Sequence, residues 1–227
     1  ESSYINEGSA EAAQEYIYRL RKQFNVPEKA EESIKLANIA LRLHKNSSLA
    51  YFYRAAAKAQ LEDYQGSIDD YTISIKLDST DYNSYYNRAI SKRKLKDYTG
   101  AIIDYTKAIQ IKPDFANAYN NRGTAKNELE DYTGAMIDFT KAIQIKPDFA
   151  LPYNNRGWSK DKLKDYKGAI RDYTKAIQIK PDFALPYKNR GIARELIDDM
   201  DGACSDWRNA SRLGDQESKQ WVENQCY

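Results

Sequence analysis

The stretch from Asp114 to Pro147 reads DFANAYNNRGTAKNELEDYTGAMIDFTKAIQIKP, and it recurs from Asp148 to Pro181 as DFALPYNNRGWSKDKLKDYKGAIRDYTKAIQIKP. The two copies are offset by 34 residues. The same offset gives looser copies over 46–79 and 80–113, and a further copy over 182–215 whose last residues diverge. A period of this length is typical of stacked supersecondary units that bury their apolar faces against one another. The repeat therefore decides the fold.

Each repeat predicts two helices joined by a short polar turn. In the quoted stretch, apolar and small residues recur at helical spacing over Ala116–Leu129 and again over Tyr132–Ile145. Pro147 stops the second helix, because proline cannot donate the next backbone hydrogen bond. Asp148 follows directly, where a carboxylate is expected to cap the next helix, and Asp114 and Asp182 stand at the same position. The unit is thus a helix–turn–helix pair.

Large and small residues alternate in fixed columns along these helices. In the quoted unit, Tyr119 precedes Gly123 on the first helix, and Phe139 stands between Ala135 and Ala142 on the second. This pattern, its period and the closing proline resemble the tetratricopeptide repeat family. The resemblance spans 46 to about 215. It implies an all-α fold, a right-handed superhelical solenoid of antiparallel helix pairs whose first helices line a groove.

The repeats set the domain organisation, which is one solenoid over 1–227. Residues 1–45 are expected to form a degenerate helix pair, with helices over Glu11–Phe24 and Glu28–Leu43, as is usual for a terminal repeat. The units 46–79, 80–113, 114–147, 148–181 and 182–215 follow, and 216–227 is expected to be a capping helix. The chain opens on Glu1 rather than Met, from which we expect that a segment upstream was removed.

One departure from the family pattern is systematic. Arginine replaces the leucine that usually precedes the first-helix glycine, and an aspartate follows each arginine after 16 residues. The two should face each other across the helix pair, forming buried, structural ion pairs. An arginine ladder that reads phosphates is the alternative. The predicted pairs are Arg54–Asp70, Arg88–Asp104, Arg122–Asp138, Arg156–Asp172 and Arg190–Asp206.

A candidate peptide-binding groove follows from the resemblance, on first-helix positions that packing does not use. Asparagine is a mediocre helix former, yet it recurs there in adjacent pairs, and its amide offers both a donor and an acceptor to a peptide backbone. Asparagines copied by duplication and facing water are the alternative. Trp158 would serve as an exposed anchor or pack between helices. The groove residues are Phe52, Tyr53, Tyr86, Asn87, Asn120, Asn121, Asn154, Asn155, Trp158, Lys188 and Asn189.

The two cysteines, Cys204 and Cys226, should lie level across the last hairpin, so a disulfide or two buried thiols is expected. A disulfide would place the protein in an oxidising compartment, periplasmic or extracellular, and free thiols would favour the cytoplasm. Two cysteines and one histidine match no metal site.

The sequence disfavours several classes of function. No nucleophile–base pair, phosphate loop or cofactor motif is present, so neither an enzyme nor a cofactor is expected. The 35 basic and 33 acidic residues are interleaved, which disfavours an RNA-binding helical repeat, and no apolar run is long enough to span a membrane. A scaffold that binds an unidentified peptide or protein in the groove is the main prediction. Assembly or self-association through the solenoid ends or outer face is the alternative.

Overall fold

The computed structural model describes the backbone of residues 2–24 and 26–226, and the side chains from residue 9 onward within those ranges. The chain forms two compact units, 1–113 and 114–227. Helices make up both units, and no strand occurs among the described residues. The all-α prediction is confirmed.

The first unit contains six helices. They are α1 (Ser2–Gln23), α2 (Ala30–Leu43), α3 (Ser48–Gln60), α4 (Tyr64–Leu77), α5 (Tyr82–Lys94) and α6 (Tyr98–Ile111), with a 3₁₀ turn at Pro27–Lys29 before α2. Each helix packs against the next along the chain. Helix α1 begins well before the predicted Glu11, because the preceding serines and Gly8 weaken the apolar periodicity without ending the helix. The predicted start at Glu28 falls in the 3₁₀ turn.

The second unit contains seven helices. They are α7 (Ala116–Glu128), α8 (Tyr132–Ile145), α9 (Ala150–Lys162), α10 (Tyr166–Ile179), α11 (Ala184–Glu195), α12 (Met200–Arg212) and α13 (Gln216–Gln225). Successive helices pack in order, and the first helices of successive pairs, α7, α9 and α11, also touch one another. Both units therefore have the architecture of an all-α helical repeat solenoid.

Helices within a pair approach closely where glycine faces an aromatic ring. A Cβ added to Gly123 of α7 would lie 2.7 Å from the ring of Phe139 on α8. The same approach recurs between Gly157 and Tyr173. A methyl group does not fit there without movement of the ring, so these crossings explain why glycine, a poor helix former, stands mid-helix.

The turn between paired helices has a fixed chemistry. Asp131 caps α8 by accepting a hydrogen bond from the backbone N–H of Gly134, at 2.9 Å. Glu130, just before it, has a left-handed φ of 61°. The N–H of Asp131 bonds the carbonyl of Lys126, which closes α7 with a Schellman motif. Equivalent caps begin α4, α6, α10 and α12, at Asp63, Asp97, Asp165 and Asp199.

The predicted capping role of Asp114, Asp148 and Asp182 is wrong. The N-cap residues of α7, α9 and α11 are phenylalanines, and no side chain caps these helices. The aspartate stands one residue too early, since a capping side chain must belong to the residue that directly precedes the first helical turn. Asp81 meets this condition and caps α5.

Candidate functional site

A bidentate ion pair joins the two helices of each repeat. Arg122 donates from Nε to Oδ2 of Asp138 at 2.9 Å and from Nη2 to Oδ1 at 2.6 Å. The aspartate side chains of all five pairs are only 1–7% exposed. Such paired hydrogen bonds from a planar guanidinium are the strongest that a side chain makes. The same contact occurs in Arg54–Asp70, Arg88–Asp104, Arg156–Asp172 and Arg190–Asp206.

A second cation completes each cluster. Lys126 lies one helical turn after Arg122, and its ammonium is 2.8 Å from Oδ2 of Asp138. This column is not among the predictions from the sequence, although its signal is plain: a basic residue follows every one of these arginines after four positions. The residues concerned are Lys58, Lys92, Lys126, Lys160 and Arg194.

The arginines also bond the preceding repeat. Arg156 donates from Nη1 to Thr140 Oγ1 at 2.9 Å, and Arg190 donates to Thr174 at 2.8 Å. In the first unit, Arg88 bonds Thr72 in the same way. Because these guanidinium groups are held by an aspartate and a threonine within the fold, the phosphate-reading alternative has little to support it.

The asparagines of the second unit form a hydrogen-bonded ladder. Asn189 Nδ2 donates to Asn154 Oδ1 at 3.1 Å, and Asn154 Nδ2 donates to Asn155 Oδ1 at 3.3 Å. The ladder continues when Asn155 Nδ2 donates to Asn120 Oδ1 at 3.1 Å and Asn120 Nδ2 to Asn121 Oδ1 at 3.2 Å. Every link donates in the same direction, so the ladder has a polarity and joins α11, α9 and α7.

This ladder changes the roles expected of the asparagine pairs. Asn120 and Asn154 are each 2% exposed, so the first member of each pair is structural rather than a contact for a partner. Asn155 and Asn189 are half-buried and use one N–H each in the ladder. An amide nitrogen carries two donors, so each retains one N–H for a ligand.

A cavity of about 340 Å³ opens beside Trp158 on the first-helix side of the second unit. It is lined from α7 by Thr124, Asn127 and Glu128, from α9 by Asn154, Asn155 and Trp158, and from α11 by Leu185, Lys188 and Asn189. The Trp158 ring meets the edge of Tyr132, with centroids 5.8 Å apart, and remains half-buried. Trp158 thus packs against Tyr132 and also lines the cavity, and its role as an anchor for a partner stays a prediction.

Lys188, at the edge of this cavity, is held by the C-terminal helix. Its ammonium is 2.7 Å from a Glu217 carboxylate oxygen and 3.8 Å from Asp215. The hydrogen bond that Lys188 donates to Glu217 is the largest cause of the raised pKa of Lys188. Lys188 is therefore less available to a partner than its sequence position suggests.

The groove residues expected in the first unit belong mainly to an aromatic cluster. Phe52 is 9% exposed and packs against Tyr71, with ring centroids 5.6 Å apart, so its expected place in the groove is wrong and it lies in the core. Tyr53 stacks edge-on against Phe52, and burial raises its pKa. Tyr86 packs against Tyr105. Asn87 donates to the Asn83 carbonyl and lines a separate cavity of about 210 Å³.

Comparison with known families identifies the repeats. Three tetratricopeptide repeat models match the chain, over residues 91–129, 116–149 and 150–183. The chain contains tetratricopeptide repeats (TPRs) over residues 91–183. No curated protein matches it by sequence. Proteins with TPR folds are generally non-enzymatic scaffolds for protein interactions, and the fold supports that broad role here.

Solved TPR structures share the fold. PilF of Pseudomonas aeruginosa superposes with a TM-score of 0.80 at 18% identity, covering 96% of this chain and 100% of that one. MamA gives a TM-score of 0.67 at 24% identity, covering 73% and 96%. YrrB, described as a TPR protein with an unusual peptide-binding site, gives 0.67 at 15% identity, covering 83% and 97%. At these identities the likeness concerns the fold alone.

A disulfide joins the end of the last helix of the second unit, α13, to α12. Cys204 of α12 and Cys226, just after α13, form a disulfide. Trp221 of α13 packs on Trp207 of α12, with centroids 5.2 Å apart. The disulfide and this aromatic contact hold α13 over the last helix pair, which brings Glu217 to Lys188.

One half-buried carboxylate in the second unit, that of Asp161, has an oxygen without a hydrogen-bond partner among the described residues. Tyr173 donates to Asp161 Oδ2 at 2.7 Å, while Oδ1 is buried with no partner among the described residues. Burial raises the pKa of Asp161 to about 6. The residue equivalent to Asp161 in the preceding repeat is Asn127, which accepts a hydrogen bond from the hydroxyl of Ser159. The residue equivalent to Ser159 in the following repeat is Ala193, which has no hydroxyl to donate to Asp161.

Metal-binding clusters and membrane-spanning helices are both absent from the described part of the chain. No group of histidine, cysteine, aspartate and glutamate side chains there could hold a metal ion. None of the helices described is both long and apolar enough to cross a membrane.

Proposed function

We propose that the second unit binds an extended peptide segment of a partner protein along α7, α9 and α11, with the cavity beside Trp158 as its main pocket. The observation that carries this proposal is the combination of an open apolar surface with adjacent amides. Trp158 and Leu185 line the cavity, and Asn155 and Asn189 each retain one N–H at its wall. A ligand site of this kind needs apolar area and a few fixed polar groups.

The ladder supports the proposal by fixing those polar groups. Asn155 and Asn189 are oriented by their bonds to the buried Asn120 and Asn154. A side chain held in place before the ligand arrives loses less conformational entropy on binding. The solved structure of YrrB, which shares the fold, is that of a TPR protein with a peptide-binding site.

The test is selection of a phage-displayed library of random peptides on the native chain, followed by calorimetric titration of a selected peptide. The variant Trp158→Ile removes the aromatic side chain but uses the residue found at the equivalent positions Ile90 and Ile192, so folding should be retained. We expect it to weaken binding about tenfold or more. Ile90→Val, in the first unit, is the matched control. Recovery of no binding peptide, or equal binding by Trp158→Ile, would refute this site.

A second candidate function rests on an exposed face of α8, away from the cavity beside Trp158. Ile137 is 66% exposed and lines a shallow cavity of about 390 Å³ with Thr133, Met136 and Thr140. Exposed aliphatic surface on the outer helices would suit assembly or self-association. Arg171 stands at the equivalent position of the next repeat, so Ile137→Arg should fold. If the native chain is oligomeric by light scattering, this variant should be monomeric; an unchanged mass would rule this face out.

A further inference from the structure

The two charged residues that line the Trp158 cavity differ in whether they already form an ion pair within the fold. Only Glu128 and Lys188 among its lining residues are charged. Lys188 is already neutralised by Glu217 at 2.7 Å, with Asp215 at 3.8 Å. Glu128 is exposed and forms no ion pair with any described residue. The charge that the cavity offers to an incoming ligand is therefore negative.

The ring of Trp158 already has a cation over it. The ammonium of Lys162 lies 5.0 Å from the ring centroid. A tryptophan face is the best aromatic partner for a cation, through attraction to its negative quadrupole. The Lys162 side chain is exposed, so it can leave this position for water when a ligand enters. Lys162 is not among the residues that line the cavity, so its contact shows that this ring accepts a cation without filling the cavity.

A second carboxylate lies along the same helix. Asp161 follows Trp158 by three residues on α9, which places the two on neighbouring positions of one helix face. Its Oδ1 has no partner among the described residues. This oxygen is buried, so the carboxylate is not open to a ligand. Asp161 is not among the residues that line the cavity, so Glu128 is the carboxylate that faces a ligand there.

We propose that the peptide bound at the Trp158 cavity carries an arginine or lysine side chain, which lies over the Trp158 ring and pairs with Glu128. This inference rests on the proposed peptide-binding function and specifies the chemistry of the ligand. An acidic ligand is disfavoured, because to reach Lys188 it would have to displace Glu217 from a charge-assisted hydrogen bond.

The test uses peptides selected from the random library on the native chain, together with synthetic copies of one of them. Arginine or lysine should be enriched at one position of the selected set, and replacing that residue by glutamine should weaken binding about three- to tenfold. Glu128→Gln should weaken the basic peptide by a similar factor and leave its glutamine copy unaffected. Lys162→Met, which removes the competing cation, should strengthen the basic peptide.

The matched control is Glu130→Gln, which removes the same charge two residues away, in the turn outside the cavity lining. It should leave both affinities unchanged. If the selected peptides depend on Trp158 but show no basic residue and bind Glu128→Gln normally, this inference is overturned while the proposed function stands. Selection of acidic peptides that are lost with Lys188→Met would overturn it as well. If no peptide is selected, both proposals fail.

Discussion

Replacing Asp138 by asparagine tests how much the ion clusters contribute to the stability of the repeats. The carboxylate is 2% exposed, accepts two hydrogen bonds from Arg122 and forms an ion pair with Lys126. An asparagine of the same shape presents one oxygen and one NH₂ group, so a donor would face a donor on one side. The two cations would also lose their shared counter-charge.

The size of the expected loss in the free energy of unfolding depends on how exposed the two cations are. Breaking a fully buried pair costs about 3–5 kcal/mol. The side chains of Arg122 and Lys126 are 16% and 21% exposed, so water can partly solvate them once the carboxylate is gone. We therefore expect Asp138→Asn to lower the free energy of unfolding by about 3 kcal/mol, the lower end of that range.

The assay is urea unfolding followed by circular dichroism, with the midpoint compared at an unchanged slope. Asp114→Asn is the matched control, since Asp114 is exposed and caps no helix, and it should change the free energy of unfolding by less than about 0.5 kcal/mol. A loss below about 1 kcal/mol for Asp138→Asn would show that the cluster behaves as a solvent-screened surface pair, and the reasoning would be refuted.

Three further changes test other features of the fold. Glu130→Gly should raise the free energy of unfolding by about 0.5–1 kcal/mol, because φ is 61° there and glycine adopts this angle without strain. Urea unfolding measures the change, and a lower free energy of unfolding would contradict this explanation. Cys226→Ser removes the disulfide to Cys204, which closes a loop between residues 22 positions apart, and should lower the free energy of unfolding by about 3 kcal/mol. It should also make α13 sensitive to proteolysis, and protease resistance equal to that of the native chain would contradict this prediction. Asp161 has a folded pKa of about 6 against an ordinary value of 3.8, so the stability that this group contributes is full below pH 3.8 and is lost as pH rises to 6. Asp161→Asn should remove that part of the pH dependence, measured as the difference between the two unfolding profiles, and parallel profiles would contradict the assignment.

The repeat allowed much of the fold to be predicted from the sequence. The predicted bounds of α8, Tyr132–Ile145, are those of the structure, and the all-α solenoid class is confirmed. Errors arose where one residue of register matters. The aspartate of each Pro-Asp-Phe turn stands one position before the N-cap, and helical periodicity does not resolve a shift of that size.

The candidate site was harder to predict, for a physical reason. The buried positions of Asn120 and Asn154 depend on how neighbouring repeats face each other, which the pattern within one repeat does not contain. Lys188 is paired with Glu217 from outside the repeated region. The lysine column beside the arginines, by contrast, was visible at fixed spacing in the sequence.

The polarity of the asparagine ladder has a consequence for how such an array can change in length. Its steps between repeats join identical groups, an amide of one repeat to an amide of the next. A duplicated copy of residues 148–181, inserted after position 181, would carry its own arginine–aspartate–lysine cluster, its own turn and the next two amides. Those amides would continue the donation without any compensating substitution. The second unit is therefore modular in the genetic sense: a single in-frame duplication would lengthen its binding surface by one repeat.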